Sequence, residues 1–200
     1  MRRTSSVTLI ASLACAVLPA AQAQEPAPKP GPELQKLAYF IGTWRAEGEM
    51  KASRFGPAGK FTNTNRSEWT AGGFYYINQH EEQNPTGTHG SMGVTGYDSR
   101  KKVYIRYSFG RDGSVGRAEG TLRSDDGAAH PVGHSTGHDE GTLTGDTWTW
   151  TADYEIDGAV IRTRSVVRPT SGTSYDFSWE IASPGTDWTV IQQGRATKVP

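Results

Sequence analysis

The sequence predicts an all-β protein, an antiparallel up-and-down β-barrel of about ten strands that one short helix precedes. Apolar and polar residues alternate after Gly42, as in the stretches KVYIRYSF, TWTWTADY and SYDFSWEI, and this period of two is typical of strands. Turn-forming pairs such as Asp112-Gly113 and Gly145-Asp146 separate these stretches. Closure into a barrel is favoured because it removes exposed strand edges.

Residues 1–23 have the features of a secretory signal peptide. Arg2 and Arg3 are followed by an apolar run from Val7 to Ala21 and by the small-x-small sequence Ala21-Gln22-Ala23, which is typical of a cleavage site. The sequence therefore predicts a periplasmic or secreted protein.

Two other interpretations of this segment are less favoured. A membrane anchor needs about 20 apolar residues, and the run is shorter and contains Ser12 and Pro19. Cys15 follows Ser-Leu-Ala, which resembles a lipoprotein cleavage box but lacks the usual leucine three residues before the cysteine. We expect no membrane span once the signal is removed.

Cleavage after Ala23 leaves a chain without cysteine, because Cys15 is the only one. Such a chain forms no disulfide. Loss of Arg2 and Arg3 from the 21 basic residues leaves 19 against 21 acidic ones, a net charge of −2. This balance excludes the basic surface of a nucleic-acid-binding protein, and about 177 residues suit one domain.

Residues 24–32, QEPAPKPGP, alternate proline with small or polar residues and predict an extended tether. The barrel domain is expected over residues 33–200. Its first element is a short helix that ends at Gly42, because apolar residues recur there at helical spacing: Leu34, Leu37, Ala38 and Ile41.

Aromatic residues gather on single faces of the predicted strands, and one face of each strand must point into a barrel. If these are the inward faces, they surround a lumen that binds a small apolar or amphipathic molecule. The predicted ligand-binding residues are Tyr76, Ile105, Tyr107, Trp150, Phe177 and Trp179. Alternatively, the same rings meet in the centre and leave no void.

Gly42-Thr43-Trp44, followed by Glu47-Gly48-Glu49, resembles the opening of lipocalins, fatty-acid-binding proteins and nitrobindins, the calycin group. Residues 32–199, with the late segment YDFSWE and DWTVIQQGR, look most like exported lipocalin-like bacterial domains of unknown function. The resemblance implies that Trp44 packs under the barrel floor and that a basic residue of the last strand, Arg195, lies across its ring. Ordinary core packing is the alternative for Trp44. The family implies no activity.

Three histidines recur at intervals of four residues, namely His130, His134 and His138. This spacing would align metal ligands on a helix, but Pro131, Gly133 and Gly137 disfavour one. We predict a solvated loop and no metal site.

The resemblance to nitrobindins raises haem as a cofactor, since they bind it through a histidine near the C-terminus. No histidine follows His138 here, so haem would need His80 or His89 as its ligand. We therefore predict no cofactor.

Sequence motifs of catalysis are sparse. There is no cysteine nucleophile after Ala23 and no Gly-x-Ser-x-Gly elbow. His80, Glu81 and Glu82 would act as base and acid if they faced a cavity, although such a run is more often the solvated end of a strand. No catalytic residue is predicted.

Arg162 and Arg164 share one face of a strand with Val160 and Val166. If this face points into the barrel, the two arginines would bind a carboxylate. If it points outward, they would be ordinary surface residues. The exterior is favoured.

Together these patterns predict an exported, non-enzymatic barrel that binds a small apolar or amphipathic molecule in its lumen. Two alternatives remain, a structural or interaction module of the cell envelope with a filled barrel, and an enzyme that uses the lumen as its active site. The sequence indicates neither a nucleic-acid partner nor an oligomeric state.

Overall fold

The computed structural model describes residues 29–111, 133–135, 140–156 and 159–200. Eleven strands lie within these ranges: β1 Gly42–Met50, β2 Gly59–Trp69, β3 Tyr75–Asn84, β4 Gly87–Asp98, β5 Val103–Gly110, β6 Gly133–Ser135, β7 Glu140–Thr144, β8 Thr147–Ile156, β9 Ala159–Ser171, β10 Ser174–Ala182 and β11 Thr189–Val199. They follow helix α1, Pro32–Lys36, and a 3₁₀ turn, Leu37–Phe40. None of the helices in the described ranges is long and apolar enough to cross a membrane.

All pairings between these strands are antiparallel and build one curled sheet. Neighbouring strands follow chain order from β1 to β5, continue through β7 to β11, and return to β1. The short strand β6 pairs with β8 outside this circuit. The predicted all-β antiparallel fold with one short leading helix is confirmed.

Glycines allow β1 and β11 to approach closely where they cross. Gly48 pairs with Gly194, and a Cβ on Gly48 would lie 2.1 Å from the carbonyl oxygen of Gln193. Real Cβ contacts of that length do not occur, so a glycine is required at this crossing.

One end of the barrel, here called the closed end, is covered by α1 and the 3₁₀ turn. Leu37 is fully buried beneath the turn, and Phe40 packs edge to face on Trp148 at 5.2 Å between ring centroids. The Tyr104 hydroxyl donates hydrogen bonds to the Glu33 carboxylate at 2.9 Å and to its backbone oxygen at 3.1 Å. These contacts fix the helix to the strands.

Aromatic rings fill the closed end. Trp44 is 2% exposed, and its indole nitrogen donates to the Phe40 carbonyl at 3.2 Å. Its neighbours in ring contact are Tyr39 and Tyr175. The prediction that Trp44 is a core residue at one end of the barrel agrees with this packing.

A smaller apolar cluster lies toward the other end. The loop between β1 and β2 carries Phe55, which is buried and packs on Trp179 at 4.7 Å. Ala152, Ile161 and Ile191 complete the cluster. Between this cluster and the closed end lies the lumen.

Candidate ligand-binding site

The lumen contains a cavity of about 260 Å³. Side chains from both halves of the sheet surround it, and their chemistry differs between the two sides. Strands β2 to β5 contribute mostly polar groups, whereas β10 and the β1–β2 loop contribute mostly rings. The cavity lining is Met50, Phe55, Asn63, Asn65, Asn78, His80, Glu82, Asn84, His89, Ser91, Arg106, Ser108, Ser165, Val167, Tyr175, Phe177, Ser178, Trp179 and Gln192.

Strand periodicity places the polar groups on one wall. Asn63 and Asn65 alternate along β2, as Asn78, His80 and Glu82 do along β3, so all of them face the lumen. The register sets Asn65 opposite His80 and Asn63 opposite Glu82. We call these five residues the amide wall.

Glu82 is held by neighbouring amides. Its carboxylate accepts hydrogen bonds from Asn84 Nδ2 at 2.8 Å and from Gln192 Nε2 at 3.0 Å. These bonds orient the carboxylate near the end of the cavity that lies away from the helix.

A cation stands on the same side of the lumen. The Arg106 guanidinium carbon lies 4.8 Å from the centroid of the Trp150 ring, a distance suited to a cation–π contact. Burial raises the pKa of the adjacent Tyr76 hydroxyl, while Thr95 and the charge of Arg106 oppose the shift. Tyr76 is therefore neutral at physiological pH.

The facing wall is aromatic. Tyr175, Phe177 and Trp179 project inward from β10, and Phe55 closes against Trp179. Burial raises the pKa of the Tyr175 hydroxyl, which keeps this ring uncharged. We call these four residues the aromatic wall.

The predicted ligand-binding residues separate into three groups. Phe177 and Trp179 line the cavity, whereas Tyr76 and Trp150 are buried in the core of the closed end. Ile105 and Tyr107 were predicted to face the lumen, and this prediction is wrong. Tyr104 is buried in the core and Arg106 and Ser108 line the cavity, so the residues between them point outward.

The predicted pair of Trp44 and Arg195 is also corrected. Arg195 points outward and forms two hydrogen bonds with Asp176, at 2.7 and 3.1 Å. The cation near Trp44 is Lys198, whose Nζ lies 5.4 Å from the ring centroid. Ala196 is buried beside Trp44, so alternation turns residue 198 inward and residue 195 outward.

Arg162 and Arg164 lie outside the barrel, as the favoured interpretation of the sequence held. Arg164 stacks on Trp188 at 4.3 Å and Arg162 lies 5.3 Å from the same ring. Arg164 also pairs with Glu180. Burial raises the pKa of Glu180, but hydrogen bonds from Arg164 and Ser178 outweigh it and the net shift is downward.

Two of the three candidate acid and base residues share the cavity face. His80 and Glu82 face the cavity, whereas Glu81 points outward, 3.7 Å from Arg111. His89 also lines the cavity, with its Nε2 2.7 Å from the Thr86 hydroxyl.

Sequence reasoning missed the asparagines of the amide wall. The signal was present, because FTNTNRS and YINQHEEQN carry polar residues at the strand period. Inward-facing amides contradict the assumption that inward positions are apolar, so this period-two pattern does not by itself identify them as lumen residues.

Metal ligation receives no support from the described part of the chain, where no group of three or more His, Cys, Asp or Glu side chains is placed to hold an ion. His130 and His138 lie outside the described residues, and for His134 only the backbone is described.

A family model described as "Protein of unknown function (DUF1579)" matches residues 29–177. The crystal structure of Rv2717c from M. tuberculosis is similar to this chain, with a TM-score of 0.53 and 11% sequence identity. The similarity covers 85% of this chain and 99% of that one. At this identity the likeness concerns the barrel-like fold alone. Comparison with curated proteins found no match. The resemblance to lipocalins stays a prediction.

Proposed function

This chain belongs to the DUF1579 family, whose function is unknown, and we propose that it binds a small amphipathic molecule in the lumen of its barrel. One observation carries the proposal. The cavity has an aromatic wall on one side and an amide wall on the other, and binding sites for small molecules combine apolar surface with a few polar groups in this way.

The size of the cavity limits the ligand. Drug-sized molecules occupy pockets of about 300–1,000 Å³, and this cavity of about 260 Å³ lies below that range. At about 30 Å³ for each water molecule, the space corresponds to about nine waters. We therefore favour a compact ligand over a long-chain fatty acid.

The composition of the walls favours an amphipathic ligand over a wholly apolar one. An alkane would contact the rings but would displace solvent from the polar side of the cavity without replacing its hydrogen bonds, which is costly. A molecule with a polar and an apolar side matches both walls.

Calorimetric titration of the mature chain with 2-naphthalenesulfonate and 2-naphthol tests the proposal. Saturable binding of at least one compound is expected, with a tenfold or greater loss of affinity in Trp179→Ala. Trp188→Ala removes the same side chain outside the barrel and should leave the affinity unchanged. Absence of saturable binding by both compounds would refute the proposal and leave the alternative of a structural or interaction module.

The proposal includes export to the periplasm or the medium. It is supported by Arg2-Arg3, the apolar run and Ala21-Gln22-Ala23. Intact-mass measurement of the protein from its native host should give an N-terminus at Gln24. A chain that begins at a lipidated Cys15, or one that retains Met1, would overturn this part of the proposal.

A further inference from the structure

Two acceptor atoms of the amide wall have no donor among the residues that the structure describes. Asn65 Oδ1 and Asn78 Oδ1 are both buried, and neither accepts a hydrogen bond from any residue that the structure describes. Buried polar atoms in folded proteins are nearly always paired, so each such atom needs an explanation. Both asparagines line the cavity.

The two amides lie on neighbouring strands. Asn65 is directly opposite His80 in the β2–β3 register, and Asn78 precedes His80 by two residues on the same face. Asn65 and Asn78 are therefore diagonal neighbours, a relation that separates residues by about 7–8 Å. A single small molecule can span that distance.

Gly93 contributes to the position of the Asn78 amide. A Cβ at Gly93 would lie 2.3 Å from Asn78 Oδ1, so the absence of a side chain there lets the amide lie close to β4. Asn78 Oδ1 therefore packs against the backbone of β4 at Gly93.

The aromatic wall supplies the other half of the site. Phe177 and Trp179 line the same cavity from β10, which lies three strands from β2 around the circuit. A flat ring offers its face to these side chains and its edge to the amide wall, since aromatic pairs favour offset and edge-to-face contacts.

On the basis of the proposed function, we infer that the lumen selects aromatic molecules that carry an N–H or O–H donor, which they direct to Asn65 Oδ1 or Asn78 Oδ1. The discrimination comes from the loss that a donor-free analogue suffers. Such an analogue leaves both buried oxygens without a donor, and sites built on hydrogen bonds reject analogues that cannot form them.

The test compares three naphthalenes by calorimetric titration of the mature chain. 2-Naphthol carries a donor, 2-methoxynaphthalene has only an acceptor, and naphthalene has neither and is smaller than both. We expect 2-naphthol to bind at least tenfold more tightly than the other two. Inclusion of naphthalene separates loss of the donor from the added bulk of the methyl group.

The double variant Asn65→Leu/Asn78→Leu preserves side-chain size and removes both oxygens. It should reduce the preference for 2-naphthol to about twofold or less. If the double variant does not fold, at least one single variant should still lower the preference by about twofold or more, because it removes one of the two acceptors. Gln79→Leu changes an outward amide of β3 and should retain the full preference, because Gln79 is exposed.

Equal affinity of the three compounds for the unmodified chain would overturn the donor preference while leaving the proposed function intact. A preference that persists in the double variant, or that is undiminished in both single variants, would also overturn it. Absence of saturable binding by all three compounds, together with 2-naphthalenesulfonate, would instead refute the proposed function.

Discussion

The closed end of the barrel and the cavity use the same strands for different purposes. At the closed end, inward positions hold large rings that contact one another, such as Tyr104 and Trp148 at 4.8 Å between centroids. Toward the other end, inward positions of β2 and β3 hold asparagine, histidine and glutamate around an open volume. Burial of apolar surface stabilises the closed end. The polar side chains around the cavity do not provide this stabilisation.

This difference resolves the choice between a filled and an open barrel, because one molecule contains both. Packing at crystal-like density needs apolar side chains that interdigitate, and the closed end has them. Polar side chains keep their hydrogen-bonding requirements, so they leave space for solvent or a ligand. We expect mutations at the closed end to change stability and mutations in the cavity to change binding.

The largest effect is expected from Trp44→Ala. Trp44 is 2% exposed and touches rings on two sides, so truncation should lower the free energy of unfolding by about 3–5 kcal/mol. Chemical denaturation followed by circular dichroism measures the loss. Trp188→Ala, outside the barrel, should cost about 1 kcal/mol. Equal losses would show that the closed end contributes no more than the surface.

Trp179→Ala should have an intermediate effect on stability. Trp179 packs on Phe55 but is only partly buried, because it borders the cavity. We expect a loss of about 1–3 kcal/mol in the same denaturation measurement. A loss as large as that of Trp44→Ala would mean that the aromatic wall is core rather than binding surface.

A smaller effect concerns the cation at the closed end. In a double-mutant cycle, Trp44→Leu and Lys198→Met should couple by about 0.5–1 kcal/mol, the range of a partly exposed cation–π contact. The matched cycle with Arg195→Met should be additive, since Arg195 pairs with Asp176 on the outer face. Coupling in the Arg195 cycle alone would restore the arrangement that the sequence suggested.

The smallest expected effect concerns how the stability of the fold depends on pH through Glu33 in helix α1. Hydrogen bonds from Lys36 and Tyr104 lower the pKa of Glu33, so its carboxylate favours the folded state above the ordinary glutamate pKa of about 4.3. That contribution is lost as the pH falls through the lowered value. The thermal midpoint of Glu33→Gln should therefore fall less than that of the unmodified chain between about pH 5 and 3.

Tyr104→Phe provides the control for this change, since it removes one of the two donors to Glu33. Its acid response should lie between those of the unmodified chain and Glu33→Gln. Identical acid profiles for all three proteins would contradict a role of Glu33 in holding the helix.

Local sequence patterns predicted the strands well and predicted the faces of the strands less well. Period two is visible in KVYIRYSF without any tertiary information, but it does not state which set of residues points inward. On β5 the apolar set, including Ile105 and Tyr107, points outward, and Tyr104, Arg106 and Ser108 point inward. The inward direction is fixed by neighbouring strands and by the helix, which local periodicity does not report.

The same reason explains why the sequence paired Trp44 with Arg195 instead of Lys198. The resemblance supplied a basic residue on the last strand, and both Arg195 and Lys198 meet that description. Only the register of β11 against β1 distinguishes them: Trp44 is the partner of Lys198, whereas Arg195 faces Glu47. An odd separation of three residues turns the two side chains to opposite faces.

The circuit of strands is unevenly bonded. Among the described residues, strands β8 and β9 share nine residue pairs, whereas β5 and β7 are joined through two, Tyr104 with Gly141 and Ile105 with Glu140. Local unfolding begins where few backbone hydrogen bonds must break at once, so amide hydrogen exchange should be fastest along this seam. We expect the barrel to part first along this seam, while its remaining ladders stay intact.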